Sequence, residues 1–138
     1  MQTVYTAEAL ATGAGRNGRT RTSDGRIDLG LAVPQEMGGS GDGTNPEQLF
    51  AAGYAACFHG ALRMAAKEKG VRVPAEGTVT ARVGVGPEGE SFGLAVTLVG
   101  HFPGLEKATA DDLMQTAHRL CPYSKATRGN IDVQLETA

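Results

Sequence analysis

The fold of this chain is decided by the stretch Asn45-Pro46-Glu47-Gln48-Leu49-Phe50-Ala51-Ala52-Gly53-Tyr54-Ala55-Ala56-Cys57-Phe58. Asparagine is a favoured helix N-cap, proline is favoured at the first helical position, and Gln48 stands where a capping box needs it. The pattern predicts a helix from Pro46 to Lys69, just before Gly70. Its many alanines and glycines are typical of a helix that packs closely against a neighbour. We therefore expect a central, buried helix.

The part of the chain before this helix reads as β-structure. Alternating residues and turn signals predict a three-stranded meander over residues 3–12, 19–23 and 26–33, with turns at Asn17-Gly18 and Asp24-Gly25. The glycine-rich segment Pro34 to Thr44 has too much backbone freedom for a regular element. We expect a flexible loop there.

The part after the helix mixes both kinds of element. The patterns predict a hairpin of residues 79–85 and 94–98, a helix capped by Thr109 and ending at Leu120, a short turn capped by Ser124, and a closing strand over residues 131–135. The length and even composition predict a single domain, residues 1–138.

Composition excludes several classes of partner. The net charge is −2 with both signs interspersed, which leaves no basic stripe for nucleic acid and no cationic amphipathic face for a membrane. The first ten residues do not resemble a secretory leader, so we expect a cytoplasmic protein. Tryptophan is absent and glycine is abundant, so a second copy would help to bury surface. We expect a homodimer.

The two cysteines, Cys57 and Cys121, lie in different settings within the two predicted helical regions. In a reducing compartment they are either buried hydrophobes or thiols that cycle chemically. A reactive cysteine needs a lowered pKa, but Cys57 lies about three turns from the helix start, where the dipole has little effect. His59 lies about 200° around the helix from Cys57, so its side chain is on the opposite face and a Cys57–His59 pair is disfavoured. An arginine is the better activator, because it stays charged and presents a fork of donors.

Three segments resemble the organic hydroperoxide resistance (Ohr) proteins of the OsmC/Ohr superfamily: the stretch quoted above, Cys121-Pro122-Tyr123-Ser124-Lys125-Ala126-Thr127-Arg128-Gly129-Asn130, and Gly15-Arg16-Asn17-Gly18-Arg19. The resemblance spans almost the whole chain. It implies an OsmC-like α+β fold, in which two intertwined subunits form antiparallel sheets around two central helices. Lys125 and His59 depart from the family pattern, and neither is a candidate catalytic group.

The resemblance also implies an activity. Cys57 matches the peroxidatic cysteine, Cys121 the resolving cysteine, Arg19 the arginine that activates the thiolate, and Glu47 its carboxylate partner. Cys57 would reduce an organic hydroperoxide to an alcohol, become a sulfenic acid, and then form a disulfide with Cys121. Dihydrolipoyl groups carried on proteins would regenerate the thiols, and the cycle needs no metal or organic cofactor.

Apolar side chains near Cys57 are expected to form an entrance for alkyl or fatty-acid hydroperoxides. They are Phe50, Tyr54, Phe58 and Met64.

Glu47 and Cys57 are ten residues apart, which corresponds to about 15 Å along a straight helix. They cannot meet within one unbroken helix of one chain. We expect Arg19 and Glu47 to face the Cys57 of the other protomer, and the alternative is a break near Gly53.

Two other functions use the same cysteines. Cys57, Cys121 and His118 could form part of a metal site, because His118 and Cys121 are three residues apart on one helical face. A redox sensor could change shape on oxidation without turnover. Metal analysis tests the first alternative, and peroxide consumption with added dithiol tests the second.

Overall fold

The computed structural model describes residues 1–138, which form two compact units, Met1–Leu49 and Phe50–Ala138. It contains three α-helices and two three-stranded sheets, which confirms the predicted α+β class. No helix has the length and apolar character needed to cross a membrane. The assignment of the whole chain to one domain stays a prediction.

The first unit contains the predicted antiparallel meander, with shorter strands. These are β1 (Ala9–Thr12), β2 (Arg19–Thr22) and β3 (Asp28–Gly30), in the order β1-β2-β3. The prediction of a first strand from residue 3 is wrong for the chain by itself. Strand β2 ends at Thr22, and the last bond in this direction joins the Ser23 N–H to the Glu8 carbonyl. Residues 3–7 therefore lie beyond any strand partner and are exposed.

The connection between β1 and β2 is longer than the predicted Asn17-Gly18 turn. No residue other than glycine has a positive φ, and the reversal uses Gly13 and Gly15 at φ 74° and 63°. The side chain of Asn17 instead accepts a hydrogen bond from the Val33 N–H at 3.0 Å. Gly18 is required for a different reason, since a Cβ there would lie 2.0 Å from the Thr12 carbonyl oxygen.

The glycine-rich connection contains one short regular element that the sequence did not predict. Residues Gln35–Met37 form a 3-10 turn, and Gly38 ends it at φ 88°. Gly39 then passes so close to Val33 that a Cβ would lie 2.0 Å from the Val33 carbonyl oxygen. A bridge between Leu31 and Thr44 closes the connection.

Helix α1 (Pro46–Lys69) begins and ends where the sequence predicts. The Asn45 Oδ1 accepts the Gln48 N–H at 2.8 Å, while the return bond from the Gln48 side chain is absent. Gly70 ends the helix at φ 67°. The helix is continuous through Gly53, so the alternative of a break there is wrong.

Substitution Asn45→Ala removes this buried cap and is expected to lower the free energy of unfolding by about 1 kcal/mol. Urea unfolding followed by circular dichroism measures the change. The control is Asn130→Ala, because Asn130 is exposed and its side chain makes no hydrogen bond. Equal effects of the two substitutions would contradict the capping role.

The second unit contains the predicted hairpin and helices. Strands β4 (Thr78–Glu88) and β5 (Ser91–His101) pair antiparallel, and β6 (Val133–Thr137) adds parallel to β5. Helix α2 (Lys107–Leu120) and helix α3 (Pro122–Thr127) lie between β5 and β6 in the chain.

Two predicted caps in this unit are wrong. Helix α2 begins two residues before Thr109, with Glu106 as its N-cap. Ser124 is inside α3, whose N-cap is Cys121, and the buried Ser124 hydroxyl bonds to side chains rather than to an N-terminal backbone amide. In the sequence, Ser124 can be either an N-cap or a residue within the helix, and only its tertiary hydrogen-bond partners distinguish the two.

The hydrophobic core of the second unit lies between α1, α2 and the β4-β5-β6 sheet. Its fully buried large side chains are Tyr54, Phe58, Leu62, Val96, Leu98, Leu113 and Met114. The predicted burial of α1 is thus confirmed for one face. Its other side exposes a row of mostly small residues, Ala52, Ala56, Gly60 and Met64.

Candidate active site

The two cysteines are carried by elements that pack together in the second unit. Cys57 lies in the middle of α1, and Cys121 is the residue at which α2 ends and α3 begins. The Cys121 N–H donates to the Ala117 carbonyl, while its own carbonyl accepts from the Lys125 N–H. Pro122 follows at the first position of α3, where a missing N–H has no cost. Cys121 is therefore held by both helices.

The two thiols are in contact but not bonded. The Sγ atoms of Cys57 and Cys121 are 3.5 Å apart, and both cysteines are free. A disulfide needs about 2.05 Å between the sulfur atoms. Cys121 is fully buried and Cys57 is partly buried. This is the geometry of a reduced pair that a small movement could join.

The surroundings of Cys57 favour its neutral form. Burial raises the pKa of the thiol above its ordinary value, and the Cys121 thiol raises it further. The backbone amide of Tyr123 acts in the opposite direction and lowers the pKa of Cys57. A nucleophilic thiolate at this position needs an additional positive group.

An arginine–glutamate pair is present in the first unit, but it uses Arg16. The Arg16 guanidinium donates two hydrogen bonds to the Glu47 carboxylate, at 3.0 and 2.9 Å. Arg19 instead donates to Asp28 at 2.7 Å, in a pair exposed to solvent. The prediction that Glu47 is the partner of Arg19 is therefore wrong.

The strand register contains the signal that the sequence interpretation missed. Asp28 lies opposite Arg21 and one step diagonally from Arg19, where opposite charges attract across a sheet. A count outward from the Asp24-Gly25 turn gives this register. This register places Asp28 within reach of both Arg21 and Arg19, and the structure pairs it with Arg19.

The ion pair with Arg16 also fixes the charge of Glu47. Its hydrogen bonds hold the pKa of the Glu47 carboxyl below the ordinary value against the opposing effect of burial, and they raise the pKa of Arg16. The Glu47 side chain is 12% exposed. Glu47 is a carboxylate at neutral pH that holds the guanidinium in one orientation.

The pH dependence of stability follows from this lowered pKa. The contribution of the pair is present above the unfolded-state pKa of about 4.3 and is lost as pH falls through the lower folded-state pKa. We expect Glu47→Gln to reduce the acid-side slope of the unfolding free energy between pH 3 and 5, measured by urea titrations. Glu36→Gln is the control, because Glu36 is exposed and unpaired. An unchanged slope in Glu47→Gln would contradict the assignment.

The four residues predicted to form a substrate entrance do not line one surface. Tyr54 and Phe58 are fully buried in the core, whereas Met64 is 61% exposed on the other side of α1. Helical spacing alone does not tell which face of an alanine-rich helix is the core. The prediction of a four-residue entrance is wrong, and of the four only Phe50 is partly buried, with its ring beside those of Tyr54 and Tyr123.

Tyr123 is an aromatic residue of this region that the sequence interpretation missed. Its ring centroid is 6.3 Å from that of Phe50 and 5.6 Å from that of Tyr54, and the residue is 40% exposed. A Cβ at Gly53 would lie 3.0 Å from the Tyr123 hydroxyl oxygen, so glycine lets the ring approach α1. Tyr123 follows Cys121 by two residues in the sequence, and this proximity could have identified it as a residue of the site.

The residues suggested for a metal site are not arranged to hold one. No group of three or more His, Cys, Asp or Glu side chains has a suitable arrangement. The Nδ1 atom of His118 is 2.8 Å from the Ser124 hydroxyl oxygen, so this nitrogen already has a partner.

Comparison with known proteins agrees with this fold. The family model described as "OsmC-like protein" matches residues 39–136. The organic hydroperoxide resistance protein of Xanthomonas axonopodis pv. citri is 52% identical over 136 residues, which cover 98% of this chain and 95% of that protein. OhrB of Bacillus subtilis, also named an organic hydroperoxide resistance protein, is 44% identical over 96% of this chain and 97% of its own length.

A solved structure is similar over the same length. The crystal structure of an organic hydroperoxide resistance protein from Legionella pneumophila has a TM-score of 0.93 and 45% identity, with 99% of both chains covered. The molecule is thus an α+β protein with two adjacent thiols. The chain belongs to the OsmC/Ohr family.

Proposed function

We propose that this protein is a cysteine-based peroxidase that reduces organic hydroperoxides to alcohols and so protects against oxidative stress. The observation that carries the proposal is the pair of free thiols, 3.5 Å apart. The names of the relatives supply the class of peroxide. The two cysteines are then the reacting groups and not inert core residues.

The proposed cycle has three steps. The Cys57 thiolate attacks the outer peroxide oxygen, the O–O bond breaks, and the alkoxide takes a proton and leaves as the alcohol, so that Cys57 becomes a sulfenic acid. The Cys121 sulfur then attacks the Cys57 sulfur, and water leaves as the disulfide forms. An external dithiol reduces this disulfide, is oxidised to its own disulfide, and returns both thiols.

Arg16, held by Glu47, is the positive group that we assign to the Cys57 thiolate of the other protomer, in place of Arg19, because Glu47 and Cys57 lie far apart along the continuous helix α1 of one chain. A guanidinium fixed by two hydrogen bonds presents its remaining donors in a defined direction. The raised pKa of Cys57 in the second unit is the reason that such a group is needed.

The apolar entrance is reassigned in the same way. Phe50 and Tyr123 are the members of the Phe50–Tyr54–Tyr123 aromatic cluster that are not fully buried. We assign to them the contact with the alkyl part of the peroxide. Tyr54 and Phe58 support them from the core.

The functional unit that we propose is a homodimer in the cytoplasm, built from two intertwined copies of one 1–138 domain. Two features of the single chain support a second copy: the exposed row of small residues on α1, and residues 3–7, which have no strand partner. The proposed reductant is a dihydrolipoyl group on a protein. A reducing compartment suits two free thiols.

Turnover separates this proposal from a redox sensor. With dihydrolipoamide in excess, we expect each molecule of protein to consume many equivalents of tert-butyl hydroperoxide and to reduce hydrogen peroxide more slowly. Consumption that stops after one equivalent per protein, with the dithiol still reduced, would contradict the proposal and support the sensor.

A further inference from the structure

A buried chain of hydroxyl groups lies one helical turn away from the two cysteines. The Tyr54 hydroxyl is 2.8 Å from the Ser124 hydroxyl and 3.1 Å from that of Thr127, and the Nδ1 of His118 is 2.8 Å from Ser124. Tyr54 and Ser124 are completely buried. The chain joins α1, α2 and α3, the elements that carry or border the two cysteines.

The hydroxyl chain and the cysteines are related by a simple spacing in the sequence. Tyr54 precedes Cys57 by three residues on α1, and Ser124 follows Cys121 by three residues in α3. Two contacts therefore join the same pair of segments: the 3.5 Å approach of the sulfur atoms and the 2.8 Å hydrogen bond of the hydroxyls. Residues three apart lie on one helical face. The hydroxyl contact therefore fixes the position of Cys121 relative to Cys57.

The donors in this chain can be assigned by counting hydrogens. Thr127 donates its hydroxyl hydrogen to the Ser124 carbonyl, so its oxygen accepts the hydrogen of Tyr54. The Tyr54 oxygen then accepts from the Ser124 hydroxyl, and the Ser124 oxygen accepts from the ring of His118. The order of donation is His118, Ser124, Tyr54, Thr127. It requires that the Nδ1 of His118 carries a hydrogen.

With this direction of donation, the hydrogen bonds of the hydroxyl chain do not depend on the charge of His118. Burial and, to a smaller extent, the nearby Arg128 lower the pKa of His118. The neutral ring with a hydrogen on Nδ1 gains its second proton on Nε2, so Nδ1 donates to Ser124 in both forms. The Arg128 side chain also donates to the His118 carbonyl at 2.7 Å.

We propose that Ser124, held between Tyr54 and His118, is a positioning residue for disulfide formation between Cys57 and Cys121. The inference rests on the proposed function. The hydroxyl chain holds α3 against α1, so that the Cys121 sulfur stays next to Cys57. This positioning affects mainly the second step of the cycle, in which Cys121 attacks the Cys57 sulfenic acid. It affects the first step less.

Variants Tyr54→Phe and Ser124→Ala test this role. Each is oxidised with one equivalent of tert-butyl hydroperoxide, and rapid mass spectrometry with a sulfenic acid trap follows both steps. We expect sulfenic acid formation within about twofold of wild type and disulfide formation about tenfold slower, the factor for one lost buried hydrogen bond. Excess peroxide should then give more Cys57 sulfinic acid than in wild type.

The control is Thr116→Val, which removes a buried hydroxyl of α2 that bonds to Arg119 and not to this chain. Its two rates should match those of wild type. If Ser124→Ala does not fold, Tyr54→Phe tests the inference alone, because it keeps the core ring. Disulfide formation at the wild-type rate in Tyr54→Phe, or an equal loss of both rates, overturns the positioning role.

Two further outcomes separate the inference from the function beneath it. A wild-type protein that forms neither trapped sulfenic acid nor disulfide would overturn the proposed function itself. The assigned direction is tested by the long-range proton–nitrogen spectrum of His118 in the reduced protein. A hydrogen on Nδ1 supports the chain as assigned, and a hydrogen only on Nε2 overturns it.

Discussion

Substitution Cys57→Ser is expected to lower the turnover of tert-butyl hydroperoxide by at least about 1000-fold, to the level of the buffer with dithiol. A serine hydroxyl does not ionise at neutral pH and cannot form a sulfenic acid, so the first step of the cycle is lost. Coupled consumption of peroxide and dihydrolipoamide measures the loss. Turnover within tenfold of wild type would show that Cys57 is structural.

Cys121→Ser is the matched comparison, because it removes the other thiol of the pair. The first oxidation should proceed, and one equivalent of alcohol should appear per protein. The Cys57 sulfenic acid then has no partner, so excess peroxide should convert it to the sulfinic acid. Loss of the first equivalent of alcohol as well would contradict the resolving role of Cys121.

Replacement of Arg16 is the second change with a large expected effect. Arg16→Met removes the guanidinium that Glu47 holds, and we expect the oxidation of Cys57 to slow by about 100-fold, as for other fixed charge donors in active sites. Arg16→Lys should recover only part of this loss, because lysine lacks the forked geometry. Stopped-flow oxidation of Cys57 at several pH values measures the rate, and the thiolate should form at higher pH in both variants.

Arg19→Met is the control for Arg16→Met. Arg19 forms an exposed pair with Asp28, and such pairs contribute little to stability. We expect a rate within about twofold of wild type. A larger loss in Arg19→Met than in Arg16→Met would return the activating role to Arg19 and contradict the assignment made from the ion pairs.

Features that depend on local chemistry could be predicted from the sequence. The start of α1 follows from the capping asparagine and the proline after it, and its end follows from Gly70. The β4-β5 hairpin follows from its alternating residues. The adjacency of Cys57 and Cys121 followed only from the resemblance to Ohr proteins, since no local rule joins residues so far apart in the chain.

The errors occurred where tertiary partners decide the structure. Asn17 fits a tight turn by itself, but its side chain bonds to Val33 instead. Tyr54 and Phe58 are as apolar as any entrance residue, and only the position of α1 in the core shows that they are buried. Arg16 and Arg19 flank the same Asn17-Gly18 pair, and only the ion pairs of the folded chain distinguish their partners.

The central claim is that Cys57 and Cys121 are joined by oxidation with an organic hydroperoxide. The most direct test is intact and peptide mass spectrometry of the reduced protein after one equivalent of tert-butyl hydroperoxide. We predict one equivalent of tert-butanol, a loss of two hydrogens, and a single cross-linked peptide pair containing Cys57 and Cys121 of one chain. Two free thiols with the peroxide still present would contradict the account.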